Sequence, residues 1–236
     1  MGQAIQQVLE DFYNFRIWER FPEEDRLASA LTKLTEARVR QAYLRRKGPP
    51  DPIIFTEMLD TCTQGVLGFV PTLKGSGFWG MEMKPEVPLE MDVGDGVKIG
   101  GRVDFLVEPQ DGGMILDGKN SQSKKNVDPD QLRWYGVLFK SHYGIPPKSL
   151  GFVWYRHPYV SGTPETGITW HTMTPQDESR MVEKAKKVRF RMDDHQFDPQ
   201  PSAANCRFCD YASVCSERFT SASSGDFPEG PMSLGG

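Results

Sequence analysis

Two aspartates and a lysine stand close together near the middle of the chain, in types and spacing that could do chemistry. Gly101-Arg102-Val103-Asp104 is followed by Ile115-Leu116-Asp117-Gly118-Lys119, and then by Gln131-Leu132-Arg133-Trp134-Tyr135. Carboxylates are hard oxygen donors suited to Mg²⁺ or Mn²⁺, ions that accept a small number of protein ligands and keep several waters. Such an ion polarises a phosphate oxygen and activates water, while a nearby ammonium can orient that water or offset charge growing on the leaving oxygen. Asp104, Asp117 and Lys119 are therefore candidates for hydrolysing a phosphodiester. Gly118 has no side chain, so its carbonyl can approach the ion closely. Gln131 and Tyr135, four apart, share a face if that segment is helical.

The elements around these residues must bring them together. Val103, Phe105 and Val107 alternate with Arg102, Asp104 and Leu106, Gln110-Asp111-Gly112-Gly113 turns the chain, and Met114-Ile115-Leu116 runs back, which predicts a hairpin with both aspartates facing one cleft. Upstream, apolar residues at helical spacing (Ile5, Val8, Leu9, Phe12, Phe15) predict a helix from Gly2 to about Arg20. A second is expected from Glu23 to Lys47, ending in the basic turn Arg45-Arg46-Lys47 before Gly48-Pro49-Pro50, and a third from Pro52 to about Phe69. Near-alternation from Met81 to Asp92 and the turn Gly94-Asp95-Gly96 lead into the hairpin, giving three or four antiparallel strands in a row. A helix is expected from Pro129 or Asp130 to about Tyr143, strands at Leu150–Tyr155 and Gly167–Met173, and a last helix to about Met192 with Thr174 as N-cap and Pro175 at its first position. This order predicts an α/β sheet flanked by helices. We divide it into a helical part (1–73), a sheet core (74–173) and a C-terminal helix with a cysteine cluster (174–215), all one domain, followed by a Ser-, Gly- and Pro-rich tail (216–236) expected to be disordered.

The 236 residues are 38% hydrophobic with a formal net charge of -4. A chain of this size can bury a real core. Its mildly acidic balance excludes a global basic field, so any DNA contact must come from local patches. No run of about 18 apolar residues and no basic-then-apolar N-terminus is present, so a cytoplasmic location without a membrane span is the expectation.

The ordered trio of motifs resembles the PD-(D/E)XK nucleases of the RecB type, in which a Gly-x-x-Asp strand, an Asp/Glu-x-Lys strand and a Gln-x-x-x-Tyr helix follow one another. The resemblance implies a restriction-endonuclease-like fold with a mixed central sheet, and Mg²⁺- or Mn²⁺-dependent hydrolysis of DNA with Asp104, Asp117, Lys119, Gln131 and Tyr135 at the site. It extends upstream to a Gly-x-x-x-His-x-x-x-Glu helix whose histidine is a metal ligand. Here the helix reads Gly2-Gln3-Ala4-Ile5-Gln6-Gln7-Val8-Leu9-Glu10, so Gln6 stands at the histidine position. A glutamine oxygen can ligate a metal or hold its water, but it is neutral and less basic than imidazole. Glu86 lies on the segment resembling the preceding strand and is a weaker acidic candidate, more simply an exposed strand residue.

Three of the four cysteines, Cys206, Cys209 and Cys215, are clustered near the C-terminus. In a reducing compartment, clustering favours metal or iron-sulfur ligation over disulfides. Their Cys-x2-Cys-x5-Cys spacing resembles the four-cysteine iron-sulfur nuclease subgroup, which includes AddB-type subunits and CRISPR-adaptation nucleases. That resemblance implies a structural [4Fe-4S] cluster. Three sources for the fourth ligand stay open: Cys62 as a displaced ligand, a segment upstream of the given chain, or zinc held by three cysteines and a histidine such as His195. As a lone helical cysteine beside Leu59 and Val66, Cys62 is more simply a core residue.

Lys124 and Lys125, just past the Asp-Gly-Lys strand, are placed to meet phosphates. Trp134 and Tyr135 could stack a splayed base. The leading expectation is a DNA exonuclease for recombination, repair or replication, acting on single strands or free ends, with a helicase or recombination protein as a possible partner. The alternative is a catalytically weak domain of the same fold that binds DNA or supports an assembly.

Overall fold

The computed structural model describes residues 1–45, 49–111, 113–161, 163, 167–196, 198–202, 205–206 and 209–217. The predicted basic helix end at Arg46–Gly48 and nearly all of the predicted tail lie outside the described residues. The chain falls into two compact units, Met1–Lys186 and Lys187–Gly236.

The first unit opens with helices α1 (Gly2–Asn14), α2 (Ile17–Arg20), α3 (Glu24–Leu44) and α4 (Pro52–Gly75). The helix expected to run unbroken to Arg20 stops early, because Arg16 takes a left-handed φ of 48° and redirects the chain. The break tucks Trp18 back onto Phe12 and Tyr13, with ring centroids 5.0 and 5.3 Å apart, and leaves Phe15 exposed rather than on the core face. α4 starts on an Asp51 cap that accepts hydrogen bonds from the N–H groups of Ile53 and Ile54, with Pro52 in the first turn. It continues past the expected end at Phe69, through Pro71, to Gly75. By length and composition α4 could cross a membrane; here it packs against α3 and α1.

Strands β1 (Lys84–Asp92), β2 (Lys98–Val107) and β3 (Met114–Lys119) form the expected antiparallel meander. Helix α5 (Asp130–Tyr143) then crosses over to β4 (Ser149–Trp154), which pairs parallel with β3, and β5 (Ile168–His171) adds antiparallel at the edge. The result is a mixed five-stranded sheet in the order β1-β2-β3-β4-β5. Gly144, at a left-handed φ of 77°, ends α5. Helix α6 (Pro175–Asp193) begins as predicted: the backbone N–H and hydroxyl of Thr174 both donate to Asp177, at 2.9 and 2.8 Å.

Each face of the sheet has its own core. One gathers Ile5, Phe12, Val66 and Phe69 from the helices with Phe105, Leu116 and Val153 from the sheet; the other packs Leu132, Leu138 and Phe139 of α5 against Val103, Leu106, Ile115 and Trp154. The simple alternation expected of β2 fails at Asp104. Val103 belongs to the α5 core, while Phe105 and Val107 belong to the helical core and Leu106 is fully buried on the α5 side. With apolar layers on both sides, Val103 and Phe105 can be buried in different cores, and the change of face falls on the carboxylate between them.

In the second unit the chain leaves α6 at His195, whose φ is 55°. There Arg191 pairs with Asp198 at 2.7 Å, and Asn205 donates through its backbone and side chain to Ser202 and Gln200.

Candidate active site

β3 delivers Asp117 and Lys119 to one side of the sheet, two residues apart as strand geometry requires. The Lys119 Nζ is 2.6 Å from Asp117 Oδ2. From α5, Gln131 reaches both: its amide nitrogen donates to Asp117 Oδ1 at 2.9 Å, and its oxygen accepts from Lys119 Nζ at 2.6 Å. A glutamine is suited to this bridge because it carries a donor and an acceptor on one planar group, and the charges on either side fix which way it points. The same nitrogen lies 3.2 Å from the Tyr135 hydroxyl, one helical turn along. Asp117 is only 2% exposed, and its Oδ2 takes the lysine charge without a well-directed hydrogen bond.

Asp104 joins from β2, its Oδ2 accepting the backbone N–H of Gly118 at 2.7 Å. Burial, followed by the negative charge of Asp117, pushes the Asp104 carboxyl up to about 7. Asp117 is also raised by burial, against the pull of Lys119. Two carboxylates that disfavour each other's ionisation are a place for added positive charge.

The glycines of both motifs have packing reasons. A Cβ on Gly101 would sit 3.0 Å from the Tyr135 ring, so the first glycine of Gly-x-x-Asp seats that tyrosine. A Cβ on Gly118 would overlap the Tyr155 hydroxyl. Gly118 thus makes room for a side chain, a role separate from the carbonyl approach inferred from sequence.

Tyr155 connects the cleft to α1, and sequence reading assigned it only to a buried strand. It lies just past β4, donating its N–H to the Lys119 carbonyl at 3.0 Å and its hydroxyl to Gln6 Oε1, also at 3.0 Å. Burial keeps its hydroxyl protonated, with Asp104 and Asp117 adding to the effect. The only trace of this in the sequence is the glycine between Asp117 and Lys119, which announces a bulky neighbour without naming it.

Gln6 therefore has its oxygen engaged by Tyr155, and it turns its nitrogen to the Glu86 carboxylate at 3.1 Å and the Asp104 carbonyl at 3.5 Å. Reversing the amide would set its oxygen against a carboxylate. Glu86 is half-buried, not an exposed strand residue, and holds a left-handed φ of 52°, rare for a residue with a side chain. The β1–β2 pairing passes from Pro85↔Phe105 to Val87↔Val103 around it, opposite the point where β2 changes face. Glu10, one turn after Gln6, is raised by burial and by the charge of Glu86. Asp104 and Asp117 thus have two further carboxylates near them, Glu86 and Glu10, of which only Glu86 was a candidate from sequence.

Asp104, Asp117 and the Gly118 carbonyl are hard oxygen donors that fit a small divalent ion keeping its own waters. Among the described residues, no group of three or more His, Cys, Asp and Glu is gathered as a ready-made metal cage. Of the sequence-predicted set, the structure brings together Asp104, Asp117, Gly118, Lys119, Gln131 and Tyr135, with Gln6 at the edge. Lys124 and Lys125 lie on a 3₁₀ turn beyond β3; Lys125 is exposed, and the Lys124 ammonium lies 5.5 Å from the Trp154 ring centre. Trp134 lines a cavity of about 510 Å³ together with Gln131, Tyr135 and Gly101, so it adjoins the site.

Cys62 is fully buried on α4, its thiol 3.7 Å from the Met1 carbonyl and raised by burial. These are the surroundings of a core thiol. Cys206, Cys209 and Cys215 lie in the second unit, with Cys209 the most open of the three.

The chain belongs to the PD-(D/E)XK nuclease superfamily, whose sequence model matches residues 1–216. The mixed sheet flanked by helices is the architecture of that superfamily. No curated protein matches the chain. Among solved structures the chain is similar to SSO0001, known from a crystal structure, with 17% identity and a TM-score of 0.40 over 91% of this chain and 85% of that one.

Proposed function

We propose that this chain is a Mg²⁺- or Mn²⁺-dependent deoxyribonuclease of the RecB type, an exonuclease serving recombination, repair or replication. The observation that carries this reading is the Gln131 amide, which holds Asp117 and Lys119 in one fixed arrangement beside Asp104. Asp104, Asp117 and the Gly118 carbonyl would hold the ion, which supplies Lewis-acid polarisation of phosphate and water. Lys119 neutralises Asp117 in the free protein and is placed to orient water or offset charge on the scissile phosphate. Gln131 ties the lysine and the aspartate together through one planar amide. Tyr135 buttresses Gln131.

Asp117→Ala and Lys119→Ala should each lower cleavage of a labelled oligodeoxynucleotide in Mn²⁺ by about 10³-fold or more, with circular dichroism unchanged. Metal-dependent cleavage undiminished in both variants would refute the assignment.

The engagement of Gln6 by Tyr155 favours one second reading, a weakly catalytic domain that binds DNA for an assembly. Titrating Mn²⁺ against labelled DNA separates the two, since a binding module retains the DNA without shortening it. For the cysteines we propose a structural role for Cys206, Cys209 and Cys215 in an iron-sulfur cluster, with zinc as the alternative, supported by their spacing. Anaerobically purified protein should be brown with stoichiometric iron; colourless protein with zinc would select the alternative.

A further inference from the structure

Helix α4 turns three glycines toward the chain that leaves β4. A Cβ on Gly65 would lie 3.2 Å from Tyr155 and one on Gly68 2.7 Å from Pro158, and one on Gly75 would overlap the Tyr159 ring. Glycine inside a helix costs stability relative to alanine, so this face is shaped for close approach. Hydrogen bonds complete the attachment. The Tyr155 N–H donates to the Lys119 carbonyl at 3.0 Å, the Gly167 N–H to the His157 carbonyl at 2.8 Å, and the Tyr159 N–H to Thr72 Oγ1 at 3.0 Å. Residues 155–159 are thereby fixed beside the Asp-Gly-Lys strand.

This fixed segment carries Arg156. The side chain is half-buried, and its Nε donates to Asn120 Oδ1 at 3.2 Å, Asn120 being the residue after Lys119. Among the described residues Arg156 has no carboxylate partner. Partial burial strips water from a guanidinium without replacing it, so the group favours an anion, and its two Nη atoms form a fork that matches two phosphate oxygens. Together with His157, Gln122 and, from α4, Thr61 and Gln64, it borders a cavity of about 580 Å³. The described residues lining this cavity include no carboxylate, whereas the cavity beside Trp134 has Asp128 and Asp130 in its wall. Hydroxyl and amide groups donate to an anion without opposing its charge.

We propose that this cavity is an anion site in which Arg156 holds a second phosphate group of the strand whose scissile phosphate lies at Asp104 and Asp117. The Asn120 bridge keeps the guanidinium beside Lys119, so a phosphate held there sets the register of its neighbour. Such a grip carries no base information. The ligand is a phosphate of the strand, either an internal diester or a terminal monoester. The scissile phosphate rests on the nuclease reading; the anion site is tested without cleavage.

The test measures binding of a fluorescent single-stranded oligodeoxynucleotide to the full chain by anisotropy in chelator, over a range of salt. Arg156→Gln should weaken binding about tenfold at low salt, and the slope of log affinity against log salt should shrink by about 0.7, the share of one phosphate. Arg156→Lys should keep the slope. Gln64→Glu, at an exposed position on α4, puts a negative charge at the cavity and should weaken binding about threefold or more; it decides the matter alone if Arg156→Gln does not fold. Lys148→Gln removes a charge at the opposite end of β4 and should change neither quantity. Strands with a 5′-phosphate, a 3′-phosphate or neither distinguish the two sources. A loss confined to one phosphorylated end identifies the monoester, and an equal loss with all three identifies the diester. Unchanged affinity and slope in both Arg156→Gln and Gln64→Glu, or an equal loss in Lys148→Gln, would overturn the site. Cleavage in Mn²⁺ is scored separately: Arg156-dependent binding of a strand that is never cut leaves the anion site standing and removes the nuclease reading. Cleavage with binding indifferent to both substitutions does the reverse.

Discussion

The two sides of the carboxylate cleft are built on opposite principles. On the β3–α5 side, Asp117, Lys119, Gln131 and Tyr135 form a closed set in which each charge faces a partner within 3.2 Å. On the α1–β1 side, Glu86 holds a left-handed backbone, Glu10 and Asp104 are raised by burial and by neighbouring carboxylates, and the groups facing them are the neutral amide of Gln6 and, 3.7 Å from Glu86, the exposed guanidinium of Arg102. One side is pre-organised and electrically balanced. The other carries more carboxylates than cations, with Arg102 only at its exposed rim, so on the proposed reading it is where an added cation contributes most. A small amphoteric amide completes the first side and only tethers the second.

Five substitutions break or sharpen this contrast. The largest effect among them is expected from Gln131→Leu, which removes the amide that fixes Lys119 and Asp117 relative to each other; cleavage in single-turnover assays should fall about 10- to 100-fold, the usual range for a residue that orients metal-site groups. Gln6→His places an imidazole on the unbalanced side, and Mn²⁺ affinity by calorimetry should rise about tenfold. A Gln6→His protein with unchanged affinity would mean that the α1 side contributes nothing to the ion. Gly118→Ala sets a methyl against the Tyr155 hydroxyl, and the overpacking should cost about 1–3 kcal/mol in denaturant unfolding. Tyr155→Ala should relieve part of that cost if the clash is its cause.

The smallest effect concerns pH. Asp104 is raised from the ordinary aspartate value of 3.8 to about 7 in the folded chain. Between those values the folded protein binds a proton that the unfolded chain has released. In chelator, stability should therefore fall as pH rises from about 4 to 7. Asp104→Asn should flatten that slope, and saturating Mn²⁺ should do the same in the unchanged protein. An unaltered slope in Asp104→Asn would move the cause elsewhere.

Much of this was legible in the sequence because it is local. Strand parity placed Asp117 and Lys119 on one side, and helical spacing placed Gln131 with Tyr135. The Pro52 and Thr174-Pro175 starts followed from a proline at the first helical position. Periodicity failed where neighbours decide the outcome. The break at Arg16 serves the packing of Trp18, and β2 changes face at Asp104 because apolar layers cover both sides. The apolar face of α1 foretold its burial but not that it would end at Asn14.

By itself the sequence determined the types and order of the chemical groups: two aspartates, a lysine and a glutamine on elements whose local geometry aligns them, with a cysteine cluster set apart. Tertiary structure alone decided how they meet. It laid Tyr155 over Gly118 and linked it to Gln6, 149 positions away, and it half-buried Glu86 of β1 against Gln6. Periodicity reports which way a side chain leaves its own backbone, whereas these contacts depend on which strand and helix lie beside it after the two cores have packed.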